Sequence, residues 1–463
     1  MSPIIGLFIY REYMLYEKDI SRVVDTRLIS PERINQFKLQ IMDEAVAQWS
    51  ENPLIGLEIG QAYKGLDYGL VRAWYEEHVP EEFKANIGVA AFGSAARGEL
   101  CFHSDLDLAI YPTGGVKKKT AETFKKELSA FLESVGLDPE IKIWIIQPKL
   151  KKLMQEDLVL AEMVLSSEII TGQPPDLDTL RRFTHSGLEE KALYEIFRLK
   201  QARFKRQEDK DDVFNLKWAE GGMIDFRVLR SIAFTYGIKA NTTVDILNGL
   251  QERQIISSEE VQFLCSALSE HLIYRNLMHV FAGGATEKLD LQTRQYISQQ
   301  IPDIGGPDQL KAYLYVLGRG VRTITKRVMD GFLQEMGIDP DLYDNFSKLA
   351  LETQLLYARS ANQHLIELAA WSSGEPEVLM ACLQTNPSWS TLKATAQSRT
   401  ASIEVYDLIE QLTRHRPALE FIRRHLAVNP SVPIEILTVV YKHTNNAEIR
   451  EIINRRLGVD AIV

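Results

Sequence analysis

The sequence predicts a small α/β core, built on a mixed sheet, embedded in a mostly α-helical chain that ends in a C-terminal helical array. Three observations carry this. Short apolar runs with strand character lie between residues 86 and about 172. On both sides of them apolar positions recur with helical spacing. Near the C-terminus "EVLMACLQTNPS", from Glu377, and "EFIRRHLAVNPS", from Glu420, repeat at an offset of 43 residues with Leu, Asn, Pro and Ser in register. A period in the forties suits stacked two-helix repeats.

Residues 1–85 read as an N-terminal helical segment. Ser30-Pro31-Glu32 looks like an N-cap followed by proline at the first helical position, and the helix runs on through "INQFKLQIMDEAVAQW". A second helix covers "DYGLVRAWYEEH". The core, 86–172, opens with "IGVAAF", a buried-strand pattern. "DLDLAIY" is a second strand, "GGVKKK" a solvated loop, "AETFKKELSAFLESVG" an amphipathic helix and "EIKIWII" a third strand. "KLKKLMQEDLVLAEMVLSSEII" reads as helix. From 178 onward the patterning is helical throughout, broken by "NLKWAEGG", "FAGGATEK", "IPDIGGPDQ" and "WSSGEPE". This divides the remainder into a helical domain, 173–340, and a repeat-like domain, 341–463.

Apolar residues at 45% and charged residues at 25% are ordinary for a globular chain of 463 residues. The net charge of −10 disfavours nucleic acid as the main partner, because bulk nucleic-acid binders are basic. Three scattered cysteines, Cys101, Cys265 and Cys382, without CxxC spacing fit a reducing compartment and no structural zinc. "MSPIIGLFIY" is short and has no basic region before it. No apolar run approaches the roughly 18 residues of a membrane span. The expectation is a cytoplasmic protein with no membrane association.

The chemistry concentrates in "FGSAARGELCFHSDLDLAIY", Phe92 to Tyr111. On a strand, alternate side chains share a face, so Asp105 and Asp107 project together while Leu106, Leu108 and Ile110 point into the core. Two like charges held this way need an offset. A hard divalent cation, Mg²⁺ or Mn²⁺, supplies it and takes phosphate oxygens as further ligands. The small residues Gly93, Ser94, Ala95 and Ala96 allow close approach of the backbone to an anion. Arg97 adds a fork-shaped cation suited to phosphate. The set reads as a site for a nucleoside triphosphate with its metal on two aspartates.

This run resembles the nucleotidyltransferase superfamily related to DNA polymerase beta. "GSAARGELCFHSDLDL" is most similar to the protein-modifying branch, the PII uridylyltransferases and glutamine synthetase adenylyltransferases. "NLKWAEGGMIDFRVL", Asn215 to Leu229, resembles that branch's segment after the catalytic core. Lys217, Gly221, Gly222 and Asp225 fall on matching positions, whereas Ile224 stands where the family usually has arginine. The resemblance covers roughly 86–335. Beyond about 340 the sequence shows neither the His-Asp pair of a uridylyl-removing phosphohydrolase nor the family's small regulatory modules.

The resemblance implies attack of a hydroxyl on the α-phosphorus of ATP or UTP, with release of pyrophosphate. The acceptor would be a protein, such as a PII-like or other regulatory protein, and Lys217 would join Gly93, Ser94 and Arg97 around the nucleotide. It also implies a third carboxylate on a neighbouring strand, acting as base and helping to hold metal. In "LDPEIKIWII", Glu140 shares a face with Lys142 and Trp144 and is the candidate, with Asp138 next. A small-molecule nucleotidyltransferase or a non-catalytic nucleotide-binding scaffold are the alternatives. His103, Cys101 and Lys117–Lys119 read as packing, incidental and solvated residues. "RHRPALEFIRRH" reads as the polar side of a helix pair, with Arg423 and Arg424 on a helix face as a candidate docking surface.

Overall fold

A computed structural model describes residues 29–144, 164–172, 188–189, 192–193, 195–197, 214–385, 387–414, 416 and 419–458. The chain divides into two compact units, 1–188 with 207–328, and 189–206 with 329–463.

In the first unit, helix α1 (Pro31–Ala47) starts where Ser30 accepts a hydrogen bond from the Arg33 amide, with Pro31 at its first position. Its apolar face, Ile34, Ile41 and Met42, is buried. Helix α2 (Ile55–His78) buries Tyr63, Leu66, Leu70 and Trp74. Strands β1 (Ile87–Ala91), β2 (Leu106–Pro112), β3 (Pro139–Ile143) and β4 (Glu168–Thr171) form one sheet in the order β3-β2-β1-β4. β1 runs antiparallel to β2 and β4, and β2 runs parallel to β3, so the sheet is mixed. A short helix, α3 (Gly93–Arg97), follows β1 where the sequence suggested only a turn. Helix α4 (Lys118–Ser134) makes the crossover from β2 to β3 and covers both strands with Ala121, Phe124, Leu128 and Leu132. All of β1 is buried, and β2 is buried at every position except Asp107.

Two assignments made from sequence are corrected. The helix read over "KLKKLMQEDLVLAEMVLSSEII" does not extend to Ile170: residues 168–171 are strand β4, while 145–163 lie outside the described residues. Ile170 is buried and Ile169 is 41% exposed, the alternation of a strand. A two-residue apolar run cannot display a period, so long-range pairing with β1 decides the outcome. The second correction is a two-stranded ribbon beyond 178, β5 (Phe214–Asn215) paired antiparallel with β6 (Lys288–Leu289).

The helical part of this unit comprises α5 (Met223–Thr235), α6 (Thr243–Glu252), α7 (Ser258–Ala282), α8 (Leu291–Gln300) and the start of α9 (Pro307–Glu335). Helix α7 begins with a complete capping box between Ser257 and Glu260. It crosses α2 closely. The Gly56 amide donates to Ser269 Oγ at 2.9 Å, and a Cβ on Gly56 would lie 1.9 Å from the Ser269 carbonyl oxygen. This crossing joins the helical part to the segment that packs under the sheet.

Among the described residues the second unit contains the end of α9, then α10 (Pro340–Asn345), α11 (Leu351–Ala358), α12 (Gln363–Ser372), α13 (Pro376–Gln384), α14 (Trp389–Gln397), α15 (Ile403–Thr413), α16 (Glu420–Val428), α17 (Ile434–His443) and α18 (Ala447–Leu457). From α11 onward each helix packs on its neighbour and on the next but one, as in a two-layer solenoid. The offset of 43 is visible in the interior, where it spans three helices, α12 to α15, and not the pair expected from its length. Glu367 and Glu410 are both fully buried, with Glu367 accepting from Ser388 Oγ and Glu410 from Arg414. Asn429 is the buried asparagine of "NPS", and its side-chain amide donates to the Ala396 and Ser398 carbonyls at 2.9 and 2.7 Å. Its counterpart Asn386 lies outside the described residues.

Arg423 does not lie on an open helix face. It is 3% exposed, and its guanidinium donates to Glu420, the His443 carbonyl and the Thr413 carbonyl. The adjacent Arg424 is the exposed one, paired with Glu448. Helical geometry separates neighbours by about 100°, so one of two consecutive arginines turns inward. No helix among the described residues is long and apolar enough to cross a membrane.

Candidate active site

The site is built at the carboxyl end of β1 and the start of β2. β1 ends at Ala91, and Gly93 takes φ +65° to enter α3. A Cβ at Gly93 would lie 2.4 Å from Asp107 Oδ2. Glycine is therefore needed twice here, for the left-handed backbone and for the approach to the carboxylate. The Phe92 amide donates to the Asp107 carbonyl at 3.1 Å, which fixes this turn against β2. Asp105 lies one residue before β2, and Asp107 lies within it opposite Glu140 of β3 in the parallel register.

A cleft of about 290 Å³ opens at this point. Of the residues singled out in the sequence, Gly93, Ser94, Arg97, Asp105, Asp107 and Lys217 all line it. Glu140 does not. Its side chain is 61% exposed and pairs with Lys142 at 3.1 Å, so the strand register, not the cleft wall, brings it beside Asp107. Asp138 enters the site electrostatically, as the carboxylate acting most strongly on Asp105.

Burial first, then Glu140 and Asp105, push the Asp107 carboxyl up to about 6, against the opposing pull of Lys142 and Arg97. Burial and then Asp138 raise Asp105 as well, against Arg275 and Lys217. The carboxylates thus sit in a local excess of negative charge that a cation would relieve. Among the described residues no group of three or more His, Cys, Asp or Glu side chains is gathered to hold a metal by itself. Two carboxylates fit a Mg²⁺-type ion that completes its shell with water and phosphate oxygens.

The opposite charge is also present. Arg227, Arg230 and Arg275 line the same cleft. Arg275 is braced by Glu287, with Nε and Nη2 at 3.0 and 2.6 Å from Oε1. Arg97 is held by buried Glu99, Nε to Oε2 at 2.6 Å, and Glu99 also accepts from Thr243 Oγ1. Burial alone would raise Glu99, but Arg97, Arg230 and these hydrogen bonds outweigh it and hold the carboxyl below its usual range. Sequence reasoning did not single out these arginines or Glu99. Arg227 and Arg230 share a face of α5 by their spacing of three. Arg275 arrives from a distant helix and carries no local signal.

The segment after β5 is shaped by its own side chains. Asn215 Oδ1 accepts from the Lys217 and Trp218 amides, closing the turn that presents Lys217. Asp225, wholly buried, accepts from the Gly221 amide at 2.9 Å and faces Arg322 at 3.6 Å. Gly221, at φ +74°, abuts Gly318, and a Cβ there would lie 2.0 Å from the Gly318 carbonyl oxygen. Ile224 is buried at the cleft wall.

The fold and the cleft are those expected of a nucleotidyltransferase domain, and two segments of the chain are similar to such domains. Residues 78–169 match the family model for the polymerase beta nucleotidyltransferase domain. Residues 195–327 match the model described as GlnD PII-uridylyltransferase. The two matches lie one after the other along the chain, the first over the sheet and its flanks and the second over the helical part that follows. Similar curated proteins include bifunctional uridylyltransferase/uridylyl-removing enzymes. That of Cupriavidus metallidurans is 21% identical over 348 residues, 68% of this chain and 39% of the relative. That of Psychrobacter arcticus is 22% identical over 222 residues, 47% and 23% respectively. One from Acinetobacter baumannii is 22% identical over 245 residues, 52% and 27%. The chain thus spans well under half the length of these relatives.

Proposed function

We propose that this protein transfers a nucleoside monophosphate from ATP or UTP to a hydroxyl on a protein, releasing pyrophosphate. The relatives' names favour the uridylyl group, and the description of the matching family model favours a PII-like regulatory protein as acceptor. The observation that carries the reading is the meeting of Gly93 with Asp107. A left-handed glycine is packed against a carboxylate of raised pKa in a cleft that also holds Asp105, Ser94 and Lys217.

In this reading Asp105 and Asp107 hold Mg²⁺ or Mn²⁺, which would neutralise charge on the triphosphate and polarise the reacting phosphorus. Gly93 and Ser94 admit the phosphates close to the backbone. Arg97, kept in place by Glu99, and Lys217 supply fixed positive charge. Glu140, beside Asp107 in the strand register but outside the cleft wall, would leave its pair with Lys142 to take the proton of the acceptor hydroxyl as the hydroxyl oxygen bonds to the α-phosphorus. The bond from that phosphorus to the bridging oxygen breaks, and pyrophosphate leaves with the electron pair. Catalysis rests on positioning and charge, since the phosphoryl centre needs little covalent help.

The test is incubation with labelled UTP or ATP, Mg²⁺ or Mn²⁺, and purified PII-type acceptor or cell lysate, followed by mass spectrometry of labelled peptides. Nucleotidyl-peptide that disappears with Asp107→Asn supports the reading. Full activity in both Asp105→Asn and Asp107→Asn overturns the site.

A further inference from the structure

Asp107 is fixed by the sheet, whereas Asp105 lies one residue outside β2, at the end of the loop Leu100–Ser104. Its position depends on whatever holds that loop. We propose that the buried face of α7 carrying Asn276 and His279 is the positioning element for Asp105, and so sets the affinity of the two-aspartate site for its metal. The inference rests on the reading of Asp105 and Asp107 as metal carboxylates.

The contacts run along one helix face. Asn276 Oδ1 accepts from the Phe102 amide at 2.8 Å, and its own Nδ2 is tied to the Leu272 carbonyl at 2.8 Å. His279 Nδ1 accepts from the His103 amide at 3.2 Å. Both side chains are fully buried, and neither lines the cleft. They can reach the chemistry only through the loop backbone. From the other side Lys38 Nζ approaches the Phe102 carbonyl at 3.5 Å. The loop closes on itself, with the Ser104 amide donating to the Cys101 carbonyl and the Cys101 amide to Ser104 Oγ. Burial, and the charge of Arg275, hold the His279 imidazole down at about 3, so it stays neutral and its Nδ1 can remain an acceptor. A ligand carboxylate must be held to within about half an ångström for its partner to share a cation. Two amides anchored to one helix supply that constraint.

The experiment is direct titration of Mn²⁺ by electron paramagnetic resonance on the full chain, with a non-hydrolysable nucleoside triphosphate present. Outer-shell changes of this kind cost metal affinity by about 10- to 100-fold. Asn276→Leu and His279→Leu, folded by circular dichroism, are expected to raise half-saturation at least about tenfold. Asn276→Ser, too short to reach the Phe102 amide, should shift it likewise and guards against misfolding of the leucine variants. His279→Asn, which keeps an acceptor near Nδ1, should stay close to wild type. Asn276→Leu, His279→Leu and Asn276→Ser variants that fold and bind Mn²⁺ as tightly as wild type overturn the inference. Retention of Mn²⁺ by Asp105→Asn overturns instead the assignment of the carboxylates on which it rests.

Discussion

Asp107 is the one residue of β2 that is not buried, and its carboxyl is held at about 6 by burial and by Glu140 and Asp105. Because the folded pKa lies above the ordinary value of 3.8, the native state binds the proton more tightly than the unfolded chain between pH 3.8 and about 6. Stability contributed by the protonated form is therefore lost as pH rises through that window. The penalty is at most about 3 kcal/mol and smaller in practice, since the side chain is partly exposed and screened. Asp107→Asn should accordingly melt above wild type at pH 7.5 without metal, and the gap should close below pH 4; calorimetry across pH checks this. At Gly93 the expectation has the opposite sign. Gly93→Ala places a Cβ against Asp107 Oδ2 in a left-handed backbone, and displacing the carboxylate should lower nucleotidyl transfer by about a hundredfold. A steady-state assay at saturating nucleotide reads it. These residues were legible because their signal is local: small residues ending one strand, alternating aspartates opening the next. Glu99 and Arg275 were not, because their roles arise from contacts with Arg97, Thr243, Cys101 and Glu287 made only in the fold.

Among the elements, the turn between β5 and α5 shows what a short motif can specify. Asn215 caps one side of it, Asp225 the other, and Gly221 leaves space for the Gly318 carbonyl. The asparagine, the paired glycines and the aspartate therefore have structural reasons to be together, independent of any ligand. Gly221→Ala would combine a strained backbone with a 2.0 Å clash. It should cost about 2–4 kcal/mol and lower the melting temperature on the order of 5–10 °C, read by thermal unfolding. Strand β4 marks the limit of sequence reading at this scale. Its four residues have no period of their own, and it exists because β1 offers it an edge. Lys64 of α2 then bonds both Glu168 of that strand and the Ala96 carbonyl of α3. An element invisible in the sequence thus helps seat the residues that follow Gly93.

For the whole chain, composition identified a globular protein, and strand patterning located the sheet. The 43-residue recurrence anticipated helical stacking in the second unit, but it spans three helices there and not a pair. What composition could not give is which face of each helix is open, as the two arginines of α16 demonstrate. Arg424→Glu breaks an exposed pair with Glu448, typically worth about 1 kcal/mol or less, and should leave the fold intact. Arg423→Glu puts a carboxylate among the carbonyls of Thr413 and His443 and should unfold the array. If the array recognises the acceptor, Arg424→Glu should also lower transfer to that protein supplied below saturation, with slow self-modification unchanged. Equal transfer removes the role from this face. The regular interior has one further consequence. Glu367 to Glu410 is one whole step of three helices, α12 to α15, so joining Pro376 directly to Glu420 would set α16 in the place of α13 and exchange the two layers of the stack. Two such steps restore the layers, so reach changes at constant cross-section only in double increments, which makes the array a ruler whose graduations are written in its buried polar residues.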